Sequence, residues 1–375
     1  MPAAFVRCLT VAILFVSSHR SLRADEAASP TKLTSPLPYQ VVQREGYNVK
    51  ESHPHAVGGA QRGAADVRVS GSLPAPLEGR IECRTVLLDE AFGAAVDWTD
   101  IQAKTDAENK FTGRLSVPAG GWYRLETRIV RADNSTDSLG DVEPFGVGEV
   151  FVVAGQSYAE GSNDELLKVN EPQGRVAAFN PFDGTWRVAH DPQPHVGDGG
   201  TIWPPTGDLL VPILQVPVGF VNVAVGGTAS AQWLPGEKLY RRLLDAGRAV
   251  GNFRAVLWQQ GESDVIARTT TETYVKNIKT IRESLAEAWK FSPIWLLAKS
   301  TLHPTVYNRP EDERRIRAGL EELWHEPGFA PGPDTDLLDG PHRGPVGTRQ
   351  HFSGLGQRTA GVMWFAAIWN HLQDK

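Results

Sequence analysis

The segment Val150-Phe151-Val152-Val153-Ala154-Gly155-Gln156-Ser157 ends in a side chain able to attack a carbonyl. Its apolar, β-branched run reads as a buried strand, and Gly155 permits a sharp turn at the strand's end. Ser157 then falls just past the carboxyl end of the strand, where open α/β sheets place their ligands. A hydroxyl there is a nucleophile only if a base takes its proton and donors hold the charge that develops. Gly-x-Ser alone is a weak signal, since it lacks the second glycine of the Gly-x-Ser-x-Gly elbow. On this segment alone, a small-residue turn is the competing reading.

Three later segments supply the missing parts. Gly226-Gly227-Thr228 follows the apolar run 218–225, and paired glycines at a strand end let backbone N–H groups approach an anion closely. Trp258-Gln259-Gln260-Gly261-Glu262-Ser263-Asp264 follows a third run. There Gln260 offers an amide to the same anion, while Glu262 and Asp264 offer carboxylates. Acidic residues also favour helix N-termini, so both acids double as caps for a helix starting near Ser263. His351-Phe352-Ser353-Gly354-Leu355-Gly356 precedes the last helical stretch. Ser353 suits an N-cap, which puts His351 on the loop before it as a general base for Ser157. Tyr158, Trp203 and Trp233 are expected to hold a ring-shaped substrate, with Asp264 nearby.

The elements that must position these residues follow from pattern. From residue 149 onward, short apolar runs (150–153, 218–225, 255–258, 294–298) alternate with helical stretches (236–250, 271–289, 311–324, 353–372). That alternation predicts a three-layer α/β/α domain over 149–375, with a parallel sheet between two helical layers. Residues 159–217, rich in Asn, Asp, Gly and Pro, read as a long insertion over the mouth of the site. Residues 65–148 alternate polar and apolar positions between turn signals and predict a small β-sandwich of about six strands. Residues 25–64 read as a linker and irregular lead-in.

Residues 1–24 read as a secretory signal peptide: Arg7, an apolar core over 9–16, and a cleavage site after Leu22-Arg23-Ala24. The core is too short for an ordinary membrane span, so no stable membrane insertion is expected after cleavage. This places the chain in a bacterial periplasm or outside the cell. The 375 residues carry a formal charge of -6, which offers no basic footprint for nucleic acid. Only Cys8 and Cys83 occur, so neither a cysteine zinc site nor a disulfide scaffold is available.

Together and in this order, the Gly155-Gln156-Ser157, Gly226-Gly227-Thr228, Gln260-Gly261-Glu262-Ser263-Asp264 and His351-Phe352-Ser353-x-x-Gly356 segments resemble the SGNH (GDSL-like) hydrolase superfamily. Within it they are similar to the sialate O-acetylesterase and acetylxylan esterase-type branch, over roughly residues 149–372. The resemblance implies Ser157 as nucleophile and His351 as base. It implies oxyanion donors in the Ser157 N–H, Gly226 or Gly227, and Gln260, with no metal or organic cofactor. The implied substrate is an acetylated carbohydrate. Two positions depart from the family pattern. Tyr158 stands where Asn is frequent, and Thr348 stands where an aspartate usually orients the histidine. Loss of that third member typically costs about 10⁴-fold in turnover if nothing replaces it. Glu262 is the favoured replacement; Asp264, Asp334, Asp336 and Asp339 are the other candidates. A catalytically silent carbohydrate-binding homologue and a lipid or thioester hydrolase are the rival readings.

Overall fold

The structure is a computed structural model that describes residues 32–47, 62–194, 196–303, 309–344 and 350–373. The signal peptide with Cys8, and Thr348, lie outside the described residues.

The amino-terminal part is all strand. It comprises β1 (Lys32–Ser35), β2 (Val41–Gln43), β3 (Ala64–Ser72), β4 (Arg80–Phe92), β5 (Val96–Asp100), β6 (Lys104–Thr105), β7 (Lys110–Pro118) and β8 (Gly120–Val130). Next comes β9 (Thr136–Gly155), twenty residues without a break. One sheet has the order β1-β3-β7-β6, while β4, β5 and β8 pair in a second layer that continues into β9. The strands predicted over 65–148 are present as two packed layers. The stretch expected as an irregular lead-in adds β1, antiparallel to β3, and β2, parallel to β9. With four residues in β1 and three in β2, the alternation is too brief to stand out from its Pro- and Ser-rich surroundings.

The second half of β9 enters the α/β layer. After it come α1 (Ser157–Glu160), β10 (Val176–Asn180), β11 (Thr185–Val188), α2 (Trp203–Leu214), β12 (Val218–Asn222), α3 (Lys238–Val250) and β13 (Ala255–Gln259). The chain continues through α4 (Glu262–Ala267), α5 (Thr271–Trp289), β14 (Ile294–Lys299), α6 (Pro310–Trp324), β15 (Phe329–Asp334), β16 (Arg343–Gly344), β17 (His351–Phe352) and α7 (Gly354–Gln373). The sheet order is β11-β10-β12-β9-β13-β14-β15, parallel from β10 to β15. β9 lies between β12 and β13, so the winding reverses there and opens a crevice at its carboxyl end.

Side-chain alternation along β9 feeds both layers. Phe151 and Val153 join Trp203, Leu210, Trp364 and Ile368 of α2 and α7. Val150 and Val152 join Leu243, Tyr274, Ile278, Ile316 and Leu320 of α3, α5 and α6. Each such fully buried side chain contributes roughly 1.5–3 kcal/mol. The first of these cores runs on without interruption into the β layers through Phe145, Val147, Leu125 and Ile81. At the amino-terminal edge of the parallel sheet, the fully buried Glu149 accepts hydrogen bonds from Arg44 Nε at 2.7 Å, Arg254 Nε at 2.7 Å and Gln43 Nε2 at 3.0 Å.

Candidate active site

Sheet register brings three of the predicted segments to one edge. Gly155 pairs with Gln259, and Asn222 pairs with Val153. The residues that follow each strand therefore emerge side by side. Gly155 has φ +129°, and a Cβ there would lie 2.1 Å from the Gln259 carbonyl oxygen, so only glycine fits between the two strands. Gln156 locks the turn. Its N–H donates to Gln259 O at 2.9 Å, and its Oε1 accepts from Ser263 N at 3.2 Å and Gly261 N at 3.3 Å. Ser157 then opens α1, so its own N–H has no acceptor within the helix. A Cβ built on Gly226 would lie 3.5 Å from Ser157 Cβ, which sets that loop directly against Ser157. The Gly226 N–H is already taken: it donates to Glu160 Oε2 at 2.9 Å. Burial raises the Glu160 carboxyl pKa, against the pull of the Gly226 N–H.

His351 sits on β17, opposite Gly344 of β16. Its ring meets the Tyr158 ring edge-on, with centroids 5.4 Å apart. Its Nε2 is buried with no hydrogen-bond partner. Ser157 and His351 are therefore not joined through that nitrogen, and such bonds often tighten only with substrate bound. Burial, with smaller contributions from His303 and Arg343, lowers the His351 pKa to about 4. The loop bearing it is clamped from the nucleophile's side. The Tyr158 hydroxyl donates to the carbonyl of Gln350 and accepts from Arg343, whose Nη1 also donates to Gln350 O at 3.0 Å. Ser353 Oγ accepts from Gly356 N at 3.2 Å, the N-cap expected for α7.

The candidate carboxylates separate sharply. Asp264 accepts from Ser230 N at 2.7 Å, Ser230 Oγ at 2.8 Å and Gln260 Nε2 at 2.6 Å. Asp334 and Asp336 are both paired with Arg317 at 2.6 Å. Asp339 is exposed. Glu262 is buried, and neither of its oxygens has a partner. Burial, with the nearby Asp336 carboxylate, pushes its pKa far above the usual carboxylate range. Arg343 acts electrostatically on both Glu262 and His351 and is 5% exposed.

Several expectations need correcting. Trp203 and Trp233 do not line a substrate site: both are fully buried, their indole N–H groups held by Ala159 O at 2.9 Å and Thr228 Oγ1 at 3.1 Å. Tyr158 is likewise buried and serves the His351 loop, and Asp264 is a buried strut. The Gln260 amide faces inward, donating to Asp264 and to Thr228 O at 3.1 Å, so it is not presented to an oxyanion. Beside Gly or Pro, large aromatics look like ring platforms, but their area is worth most in a core. Sequence reasoning missed Gln156, Glu160 and Arg343. Glu160, one turn beyond Ser157 on the same helix, had a readable signal in its spacing. Gln156 and Arg343 had none. Among the described residues, no group of three or more His, Cys, Asp or Glu is arranged to hold a metal ion.

A parallel sheet with a serine at its switch point and a histidine on a loop before the last helix is the arrangement of the SGNH-type hydrolases. Residues 147–298 match the family model of the sialic acid-specific acetylesterase carbohydrate esterases. A probable carbohydrate esterase of Arabidopsis thaliana is 40% identical over 174 residues, covering 38% of this chain. The match spans 66% of that relative's length. A carbohydrate acetylesterase from Xanthomonas citri shares the fold with a TM-score of 0.54 at 16% identity, over 90% of this chain and 75% of that one. An Arabidopsis thaliana protein superposes with a TM-score of 0.49 at 19% identity, over 60% of this chain and 98% of that one. Over residues 147–298 the chain is thus similar in sequence to the carbohydrate esterases.

Proposed function

We propose that this chain is an exported serine esterase that removes O-acetyl groups from carbohydrate, either sialate or an acetylated polysaccharide such as xylan. The observation that carries this reading is the meeting of Ser157 and Gly226 at the carboxyl edge of the sheet, with His351 held against the residue after the nucleophile. His351 takes the Ser157 proton as Ser157 Oγ bonds to the acetyl carbon. The oxygen that gains charge is held by the N–H groups of Ser157 and of Gly226 or Gly227, each such donor contributing roughly 3–4 kcal/mol. His351 returns the proton to the departing sugar hydroxyl, and water then hydrolyses the acetyl-serine. Glu262 takes the part usually filled by the aspartate whose position is Thr348, acting as a neutral hydrogen-bonding acid because burial keeps it protonated. Gln260 stiffens the floor of the site through Asp264 and Thr228. Export to the periplasm or beyond rests on the leader-like residues 1–24.

The reading is tested by acetate release from acetylated xylan and from O-acetylated sialic acid, with Ser157→Ala as control. Equal release by wild type and variant would rule it out. A second reading, a silent carbohydrate-binding homologue, is favoured by the unpartnered His351 Nε2. Glycan binding without acetate release would establish it, and stoichiometric modification of Ser157 by a fluorophosphonate would exclude it.

A further inference from the structure

The backbone donor that faces Ser157 is occupied by a side chain of the protein itself. Glu160 Oε2 accepts from Gly226 N at 2.9 Å, at the place an acyl oxygen must enter. The contact is fixed from both sides. The main chain at Glu160 is tied down by buried Asn222, whose Nδ2 donates to Ala159 O at 2.7 Å and to Glu160 O at 3.3 Å. The Gly226 loop is held by Val225 N donating to Gly155 O at 3.0 Å. The side chain between them has three rotatable bonds, and it also accepts a long hydrogen bond from Ser162 Oγ at 3.4 Å. Arg242 of α3 supplies the positive charge acting on Glu160. Arg242 lies 6.0 Å from the ring centroid of exposed Phe182 at the β10–β11 tip. The carboxylate is thus held by one backbone N–H and attracted by one guanidinium.

We propose that Glu160 is a self-inhibitory plug: in the resting site its carboxylate fills the oxyanion donor at Gly226, and it swings toward Arg242 when an ester enters. This rests on Ser157 being the nucleophile and deepens that reading by giving the same site its own restraint. A carboxylate on a backbone N–H makes a charge-assisted bond that a neutral ester carbonyl cannot match. The ester must displace it before Ser157 can be attacked with its oxygen held. The plug also mimics the acetate product, which it competes with for the same donor. Every turnover thus begins and ends with Glu160 in place of a ligand.

The test is the second-order rate at which a fluorophosphonate modifies Ser157 in the full chain. In that step the Oγ–P bond forms, fluoride leaves and the proton passes to His351. Glu160→Ala is expected to raise the rate by about 10- to 100-fold, the range set by losing one hydrogen bond to a charged group. Glu160→Gln, whose neutral amide oxygen still reaches Gly226, is expected to fall between Ala and wild type. Arg242→Ala is expected to slow modification when Glu160 is present and to have no effect in the Glu160→Ala background. If Glu160→Ala and Glu160→Gln react at the wild-type rate or slower while Ser157→Ala does not react, the plug is refuted and the nucleophile stands. If wild type and both Glu160 variants all fail to react, plug and nucleophile fall together. Should Glu160→Ala not fold, the near-isosteric Glu160→Gln decides the matter alone.

Discussion

Two glutamates are shut away from water at opposite ends of the central sheet, and the chain treats them in opposite ways. Glu149 at the amino-terminal edge is surrounded by donors. Burial works against its charge, but Arg44 and Arg254 outweigh it and hold its pKa at about 2. Glu262 at the carboxyl edge has no partner on either oxygen, and burial keeps it protonated far above the usual range. A buried carboxylate that serves the fold is neutralised by its neighbours. One left incomplete is costly, and it lies at the end of the sheet where the proposed chemistry is placed. Perturbed groups of this kind cluster at functional sites.

The comparison can be broken in several places. The largest effect is expected at the working edge: Ser157→Ala should lower p-nitrophenyl acetate turnover by about 10⁴-fold or more, with thermal stability unchanged. Next comes Glu149→Gln, which leaves two buried or half-buried arginines facing a neutral amide. It should destabilise the fold by about 3–5 kcal/mol in denaturant titrations, while the folded fraction keeps its turnover per Ser157. An active-site titrant separates the two quantities.

Glu262→Gln should do the reverse. Replacing an already protonated acid by an amide should change stability by less than about 1 kcal/mol. Activity should fall by about 10- to 100-fold, short of the 10⁴ that follows loss of a directly bound third member. A stability loss as large as that of Glu149→Gln would erase the distinction between the two ends.

The smallest effects are in pH dependence. The lowered pKa of Glu149 contributes stability above its unfolded value, near 4.5, and that stability is lost as pH falls toward 2. The raised pKa of Glu262 does the opposite. The native state holds its proton while the unfolded chain gives it up, so stability declines as pH rises above about 4.5. Glu149→Gln and Glu262→Gln should therefore flatten opposite arms of the stability curve. The acid limb of kcat/KM should fall near pH 4, where His351 titrates, rather than near 6.5.

The order of strands and helices beyond Glu149 was legible because each apolar run and each amphipathic face is long enough to show its period. The predicted runs 150–153, 255–258 and 294–298 all lie inside observed strands. β10, β11 and α2 were not seen, since they interrupt a stretch dominated by Asn, Asp, Gly and Pro. Ser157 and Gly226 could be paired from sequence because both follow strand ends. The inward turn of Gln260 could not, because a side-chain amide beside a glycine faces either way until its acceptors are known. Tyr158, Trp203 and Trp233 looked like ring platforms for want of any signal that a helix or strand would close over them. Glu160 was legible only as a neighbour of Ser157 one turn on, while its partner 66 residues away and that of Arg343, 185 residues away, lie at separations that no local pattern encodes.

β9 runs from Thr136 to Gly155 as one strand, yet its pairing with β8 slips register at three places before the parallel sheet begins. Buried Leu139, Val142 and Phe145 recur every third residue, so these irregularities re-aim the ribbon before it enters the parallel sheet. The direction in which Ser157 leaves the sheet is therefore set by the parallel pairing of residues 149–155 with β12 and β13, beyond those slips, and a change of length before them can be taken up without turning it.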